Sequence, residues 1–212
     1  MRTALLLLTY VSVASPVVID RIAVIVGKSV IKSSDIERDL RITEFLNREP
    51  LNLNADARRK AAQRLIDQQV IRTEVATGGY TRATDADADA MLQRLERDRF
   101  GGLQARLSAE LERYGITREE LCRELLWQLT VLRFIQERFQ PGVVVDDQDV
   151  QKYYDQHLAD LKRENPRNNS FAALEPKIRG LLTGEAVNKD FEDWLGKARQ
   201  RTQIQYRQEA FQ

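Results

Sequence analysis

The chain holds one histidine and one cysteine in 212 residues, and that scarcity bounds its chemistry more tightly than any motif. A nucleophilic centre of the Ser-His-acid or Cys-His kind would have to be built on His157, and the cysteine form would need Cys122 as well. Cys122 stands between Leu121 and Leu125-Leu126 in a helical pattern and reads as a small buried apolar residue. His157 closes Tyr153-Tyr-Asp-Gln-His157 on what reads as a solvated helix face. A zinc site would need carboxylates for nearly all its ligands. The sequence carries neither a Gly-x-x-x-x-Gly-Lys loop nor a dinucleotide fingerprint, so no cofactor is expected.

One acidic array has metal-like spacing. Asp85, Asp87, Asp89 and Glu96 match the acids of a calcium loop, and Leu92 suits its apolar eighth position. Ala90, however, stands where the sharp turn needs glycine. The same residues suit the first turn of a helix, where acids meet the positive end of the dipole, so no metal is expected. The basic clusters Arg58-Arg59-Lys60, Arg94/Arg97/Arg99 and Lys197/Arg199/Arg201 are interleaved with acids and read as solvated helix faces. Lys plus Arg total 33 against 32 acids, a net charge of +1, which opposes broad capture of nucleic acid.

These sparse groups must be positioned by helices. Ser34 with Glu37 predicts a capped helix to about Leu46, and Ala55 to Thr77 a second, stopped by Gly78-Gly79. Thr84 with Asp87 opens a third, to Phe100; a fourth covers about Leu103 to Tyr114. Thr117 with Glu120 caps a fifth, about Arg118 to Phe139. At 100° per residue this helix has two apolar stripes, Leu121/Leu125/Leu132/Ile135/Phe139 and Trp127/Val131/Phe134. Such a helix packs on both sides or leaves one face lining a groove. Beyond Pro141-Gly142 a helix is expected from Asp147 to Lys162, then a polar linker, Asn165 to Ser170. A final helix follows, loosened or bent at Gly184.

Short strands flank this helical body. Ile22 to Val26, Gly27-Lys28 and Val30-Ile31 read as a hairpin, and Thr202 to Tyr206 as a lone strand. An isolated hairpin is marginal in water, so the lone strand is its expected third member. The fold class is thus mainly α, a multi-helix core with a small antiparallel sheet made by the N-terminal hairpin and the C-terminal strand.

Residues 1–14 have the form of a signal peptide. Arg2 supplies the n-region, Ala4 to Val13 a short apolar core, and Ser12 and Ala14 the small residues before the cut. The alternative is an uncleaved anchor. A single cysteine rules out an internal disulfide in an oxidising compartment. The domain reading is a signal peptide at 1–14, a helical module at 19–140, a helix and short linker at 141–170, and a closing helix and strand at 171–207.

The order of these motifs resembles the SurA family of periplasmic chaperones. Asp20-Arg-Ile-Ala-Val-Ile-Val-Gly27 with its hairpin, and Gln63-Arg-Leu-Ile-Asp-Gln-Gln-Val-Ile71, look like the family's opening. Phe100-Gly-Gly and Tyr114-Gly-Ile-Thr-Arg-Glu-Glu-Leu121 are similar to its glycine-punctuated helices. Ile178-Arg-Gly-Leu-Leu182, Phe191-Glu-Asp-Trp-Leu195 and Ile204-Gln-Tyr206 look like its closing helix and strand. The family usually inserts parvulin-type prolyl isomerase domains before the closing helix; here only Leu158 to Ser170 occupies that place. The resemblance implies a periplasmic holdase that binds unfolded outer-membrane or secreted polypeptides without ATP and without isomerase activity. Candidate groove residues for such peptides are Met91, Phe100, Leu103, Tyr114, Trp127 and Phe134. The same residues also suit plain core. An envelope assembly factor docking one folded partner is the alternative function, and a residual prolyl isomerase a third. The short linker also allows a homodimer formed by exchange of the C-terminal segment.

Overall fold

A computed structural model describes residues 20–164, 167, 169–207 and 211. The expected signal segment, 1–14, and part of the polar linker lie outside the described residues. The architecture is mainly α, with eight α-helices and one small sheet among the described residues.

Strands β1 (Ile22–Val26) and β2 (Ser29–Lys32) form the hairpin, turned by Gly27 at a left-handed φ of 58°. Strand β3 (Ile204–Tyr206) pairs antiparallel with the other edge of β1, giving the order β2-β1-β3. Val24 faces Tyr206, and Val26 faces Ile204. The turn is tied into the same closure, since the Gly27 amide donates to the Gln203 carbonyl at 2.8 Å. The two ends of the described chain therefore meet in one sheet, within a single chain.

Helices α1 (Ser33–Asn47) and α2 (Ala55–Thr77) follow the hairpin. The start of α1 differs from the expected capping box. Lys32, the last strand residue, is the N-cap, and the Asp35 carboxylate accepts its amide at 2.9 Å. Ser34 is already inside the helix, and its hydroxyl donates to Asp20 at 2.5 Å. The strand thus runs into the helix without a spacer. Asp20 pins the chain ahead of the hairpin to that helix, and the Ser34 hydrogen bond holds its carboxyl below the ordinary aspartate range.

Helices α3 (Asp85–Phe100), α4 (Gln104–Tyr114) and α5 (Arg118–Phe139) begin and end where glycine and capping signals place them. Thr84 and Asp87 cap each other's amides, as do Thr117 and Glu120. The calcium-like acids lie on the continuous helix α3, with Asp87 bound to Thr84 and Arg133, and Glu96 to Arg118. The expected helix after Pro141-Gly142 is broken at His157 into α6 (Asp147–Gln156) and α7 (Leu158–Glu164). His157 caps α6 in a non-helical conformation, stacked on Tyr153 with its Nδ1 2.9 Å from the Tyr153 carbonyl. Helix α8 (Phe171–Arg201) runs unbroken through Pro176 and Gly184. At 31 residues it spans about 46 Å.

Three apolar clusters divide the interior. The largest joins the sheet, α1, α2 and the later halves of α5 and α8, around Val24, Ile66, Phe134 and Leu195. The second lies where α3, α4 and the first half of α5 meet α1, around Phe45, Leu92, Leu107 and Leu121. The third joins α6, α7 and the start of α8 through Val150, Leu161 and Ile178. The two stripes predicted for α5 are used lengthwise. Leu121 and Leu125 serve the second cluster, Trp127, Phe134 and Phe139 the first, while Leu132 is half exposed. Helix α8 likewise feeds two clusters, which is why its pattern continues for so many turns. Ion pairs tie the layers, with Arg199 bidentate on Asp67 joining α8 to α2 and Arg64 on Asp39 at 2.5 Å joining α2 to α1.

Candidate functional site

A cleft of about 560 Å³ opens between α1, α2, α5 and the connection that leads into α3. Its apolar lining comes from Ile42 on α1, Val75 and Ala76 on α2, Ala83 on the connection, and Leu126 and Trp127 on α5. The walls are held by specific bonds. The Thr130 hydroxyl is buried, donates to the Leu126 carbonyl at 2.8 Å and accepts the Ala83 amide at 3.2 Å. Arg133 on α5 donates to the Arg82 carbonyl at 2.8 Å, and Glu137 accepts the Thr81 amide. The connecting segment is thereby strapped along α5 and keeps the cleft open.

The cleft's charged residues have distinct environments. The Arg72 guanidinium lies over the Trp127 ring, 3.8 Å from its centroid, a cation–π contact. Crowding by protein atoms pulls the Arg72 pKa below its ordinary value, opposed by attraction to Glu124. Desolvation raises the Glu124 carboxyl above the ordinary glutamate value, although Gln128 donates to it at 3.0 Å. Arg38 donates to Glu120 at 2.9 Å. Together with the Thr117 cap bond, which is the larger effect, this contact holds Glu120 in its charged form. A second, smaller depression adjoins this cleft, sharing Arg38, Ile42, Arg72 and Glu124 and continuing past Asp39 to Val30 on β2. There, burial pushes the Asp39 carboxyl up despite its Arg64 partner, because desolvation outweighs the pair's attraction.

The six residues expected to line a groove do not converge. Trp127 lies in the cleft wall, showing only 8% of its surface. Phe134 is a correction: it has no exposed surface, because Tyr80, Phe139 and Trp194 enclose its ring at centroid distances of 4.8, 5.8 and 5.3 Å. Tyr114 is buried too, its ring edge-on to Phe45 and its hydroxyl donating to the Glu49 carbonyl at 2.8 Å. With Phe100 it borders a separate depression among Arg48, Arg99 and Arg113. Met91 and Leu103 are exposed and line neither depression. The residues that complete the Trp127 cleft, Ile42, Arg72, Val75, Ala76, Ala83 and Leu126, were not singled out in the sequence. Leu126 had a signal, being the apolar neighbour of Trp127 on an unusually apolar helix.

No protein-family model matches the chain, and no curated protein matches it.

The polar side chains of the cleft are four arginines, Glu120, Glu124 and Thr130. Among the described residues, no three of His, Cys, Asp and Glu are grouped to hold a metal ion. Cys122 is half-buried beside Asp89, and desolvation first, then that carboxylate, push its thiol pKa up. Those surroundings disfavour the reactive thiolate.

Proposed function

We propose that the chain is an ATP-independent holdase of the bacterial periplasm, binding unfolded outer-membrane or secreted polypeptides in the Trp127 cleft without acting on them chemically. One observation carries the reading: a helix-walled cleft with an aromatic and aliphatic lining, held open by α5 and rimmed by arginines. The order of motifs resembling the SurA family supports it, and so does the presence of a single histidine and a single cysteine. Its volume is that of a cleft for a few side chains. A client segment burying about 300 Å² of apolar surface there gains about 7 kcal/mol before ordering costs, which leaves weak and reversible binding. Weak binding suits a holdase, because clients must be released without an energy source.

The test is the aggregation of a urea-unfolded outer-membrane β-barrel protein after dilution, followed by light scattering. An equimolar amount of this protein slows it, and Ala76→Glu with Ala83→Glu, which put carboxylates on two cleft walls, removes most of the effect. If aggregation runs at the same rate with and without the wild-type protein, the reading is wrong.

A further inference from the structure

The Trp127 cleft carries more positive charge than its architecture uses. Four arginines line it, Arg38, Arg72, Arg82 and Arg123, against two glutamates, Glu120 and Glu124. Arg38 is committed to Glu120 and Asp35. Arg82 gives only its backbone carbonyl, to Arg133. Among the described residues, the guanidinium groups of Arg72, Arg82 and Arg123 donate no hydrogen bond and enter no ion pair. Six other arginines pair across elements, Arg64 with Asp39, Arg118 with Glu96, Arg133 with Asp87, Arg138 with Glu74, Arg179 with Asp147 and Arg199 with Asp67, while Arg48, Arg94, Arg97 and Arg106 enter no ion pair among the described residues. What sets the three cleft arginines apart is where they stand: all border one apolar cleft with their N–H donors unused, Arg72 stacked on Trp127 and Arg123 favouring the charged forms of Glu119 and Glu120 only from a distance. Each carries five N–H donors, and together they suit a planar carboxylate that can accept two bonds at once.

Glu124 does not fill that role. It is held by Gln128 and stays outside ion-pair range of Arg72. It also makes the cleft unsuited to a polyanion, which it and Glu120 would repel. A single carboxylate attached to an apolar segment satisfies both features, because the apolar side chain meets Leu126, Ala83 and Trp127 while the acid meets the arginines.

We propose that the cleft selects client segments in which an aromatic or aliphatic side chain is followed within a residue or two by Asp or Glu, the carboxylate being taken by Arg72 together with Arg123 or Arg82. This rests on the reading of the cleft as a polypeptide-binding site and adds its selectivity. Arg72 is central because Trp127 fixes its position in advance, so less side-chain freedom is lost when the carboxylate arrives.

Three fluorescein-labelled peptides test it. They share one apolar core and differ at the following position, which is Asp, Asn or Lys. Binding to the full protein is read by anisotropy at low salt and at 0.5 M NaCl. The Asp peptide is expected to bind about tenfold tighter than its Asn twin at low salt, and the Lys peptide weakest. The preference should shrink at high salt, where charges near the surface are screened. In Arg72→Gln the Asp and Asn twins should bind within about twofold of each other. Circular dichroism checks that variant's fold, and Arg123→Gln, an exposed position, gives a second reading with a partial loss of preference. Equal binding of the Asp and Asn twins to the wild type overturns the selectivity and leaves the holdase reading standing. A full preference in both variants also overturns it. Binding of none of the three peptides overturns both proposals.

Discussion

Replacing Phe134 by alanine separates core from cleft on α5, a helix that serves both. The Phe134 ring has no exposed surface and sits edge-on to Tyr80 on the connection, Phe139 on α5 and Trp194 on α8, which cover it together. Truncating such a ring costs about 3–5 kcal/mol, the lost transfer energy plus the cavity left behind. Three aromatic partners place this site in the upper half of that range, about 4 kcal/mol. For a chain of this size each kcal/mol lowers Tm by about 2–4 °C, so Phe134→Ala should melt about 8–16 °C below the wild type. Leu132→Ala, two residues away and half exposed, is the control and should stay within about 0.5 kcal/mol. Thermal and urea melts followed by circular dichroism read both. A shift below about 3 °C for Phe134→Ala, or equal shifts for the two variants, would show that α8 does not cover this face of α5.

Two further outcomes follow from the sheet and the cleft. Ile204→Asp places a charge where β3 packs on the main cluster, and should cost about 2 kcal/mol or more. Hydrogen exchange should then speed at Val24 to Val26 while the amides of α4 stay protected; unchanged exchange in β1 would contradict the pairing of the chain's two ends. Glu124→Gln should raise Tm at pH 7. Desolvation raises the Glu124 pKa in the folded state, so folding binds this proton more tightly than the unfolded chain does. The group therefore costs stability as pH rises from the ordinary glutamate value of 4.5 through the folded value. The glutamine variant avoids that cost, and its advantage should disappear below about pH 4. A variant that melts lower than the wild type at pH 7 would mean that attraction to Arg72 outweighs burial.

The elements were legible where local chemistry decides them. Helices α2 and α5 fall at the residues the pattern marks, because Asn54 and Thr117 cap them and Gly78 stops α2. Closure of the sheet was also legible, since a hairpin too small to stand alone left the C-terminal strand as its one partner. The start of α1 was misread because Ser34 and Glu37 have capping-box spacing, while the strand before them already supplies the N-cap. The break at His157 had no glycine or proline to announce it. For the cleft, helical period tells which residues share a face but not which faces another helix covers. Trp127 and Phe134 lie on one predicted stripe, yet Tyr80, Phe139 and Trp194 of α8 enclose Phe134 while Trp127 keeps an edge in the cleft beneath Arg72. Arg72 itself sits on another helix, and nothing in its own neighbourhood marks an arginine destined to stack on a distant indole.

Site-specific photocrosslinking to an unfolded client tests the holdase cleft most directly. With p-benzoylphenylalanine placed singly at Ala76, Ala83, Met91, Leu103 and Val144, an unfolded outer-membrane protein should crosslink at Ala76 and Ala83 in the cleft. Met91, Leu103 and Val144, each more accessible than Ala83, should crosslink weakly. Crosslinks spread evenly over all five positions, or concentrated at Met91 and Leu103, would contradict the account.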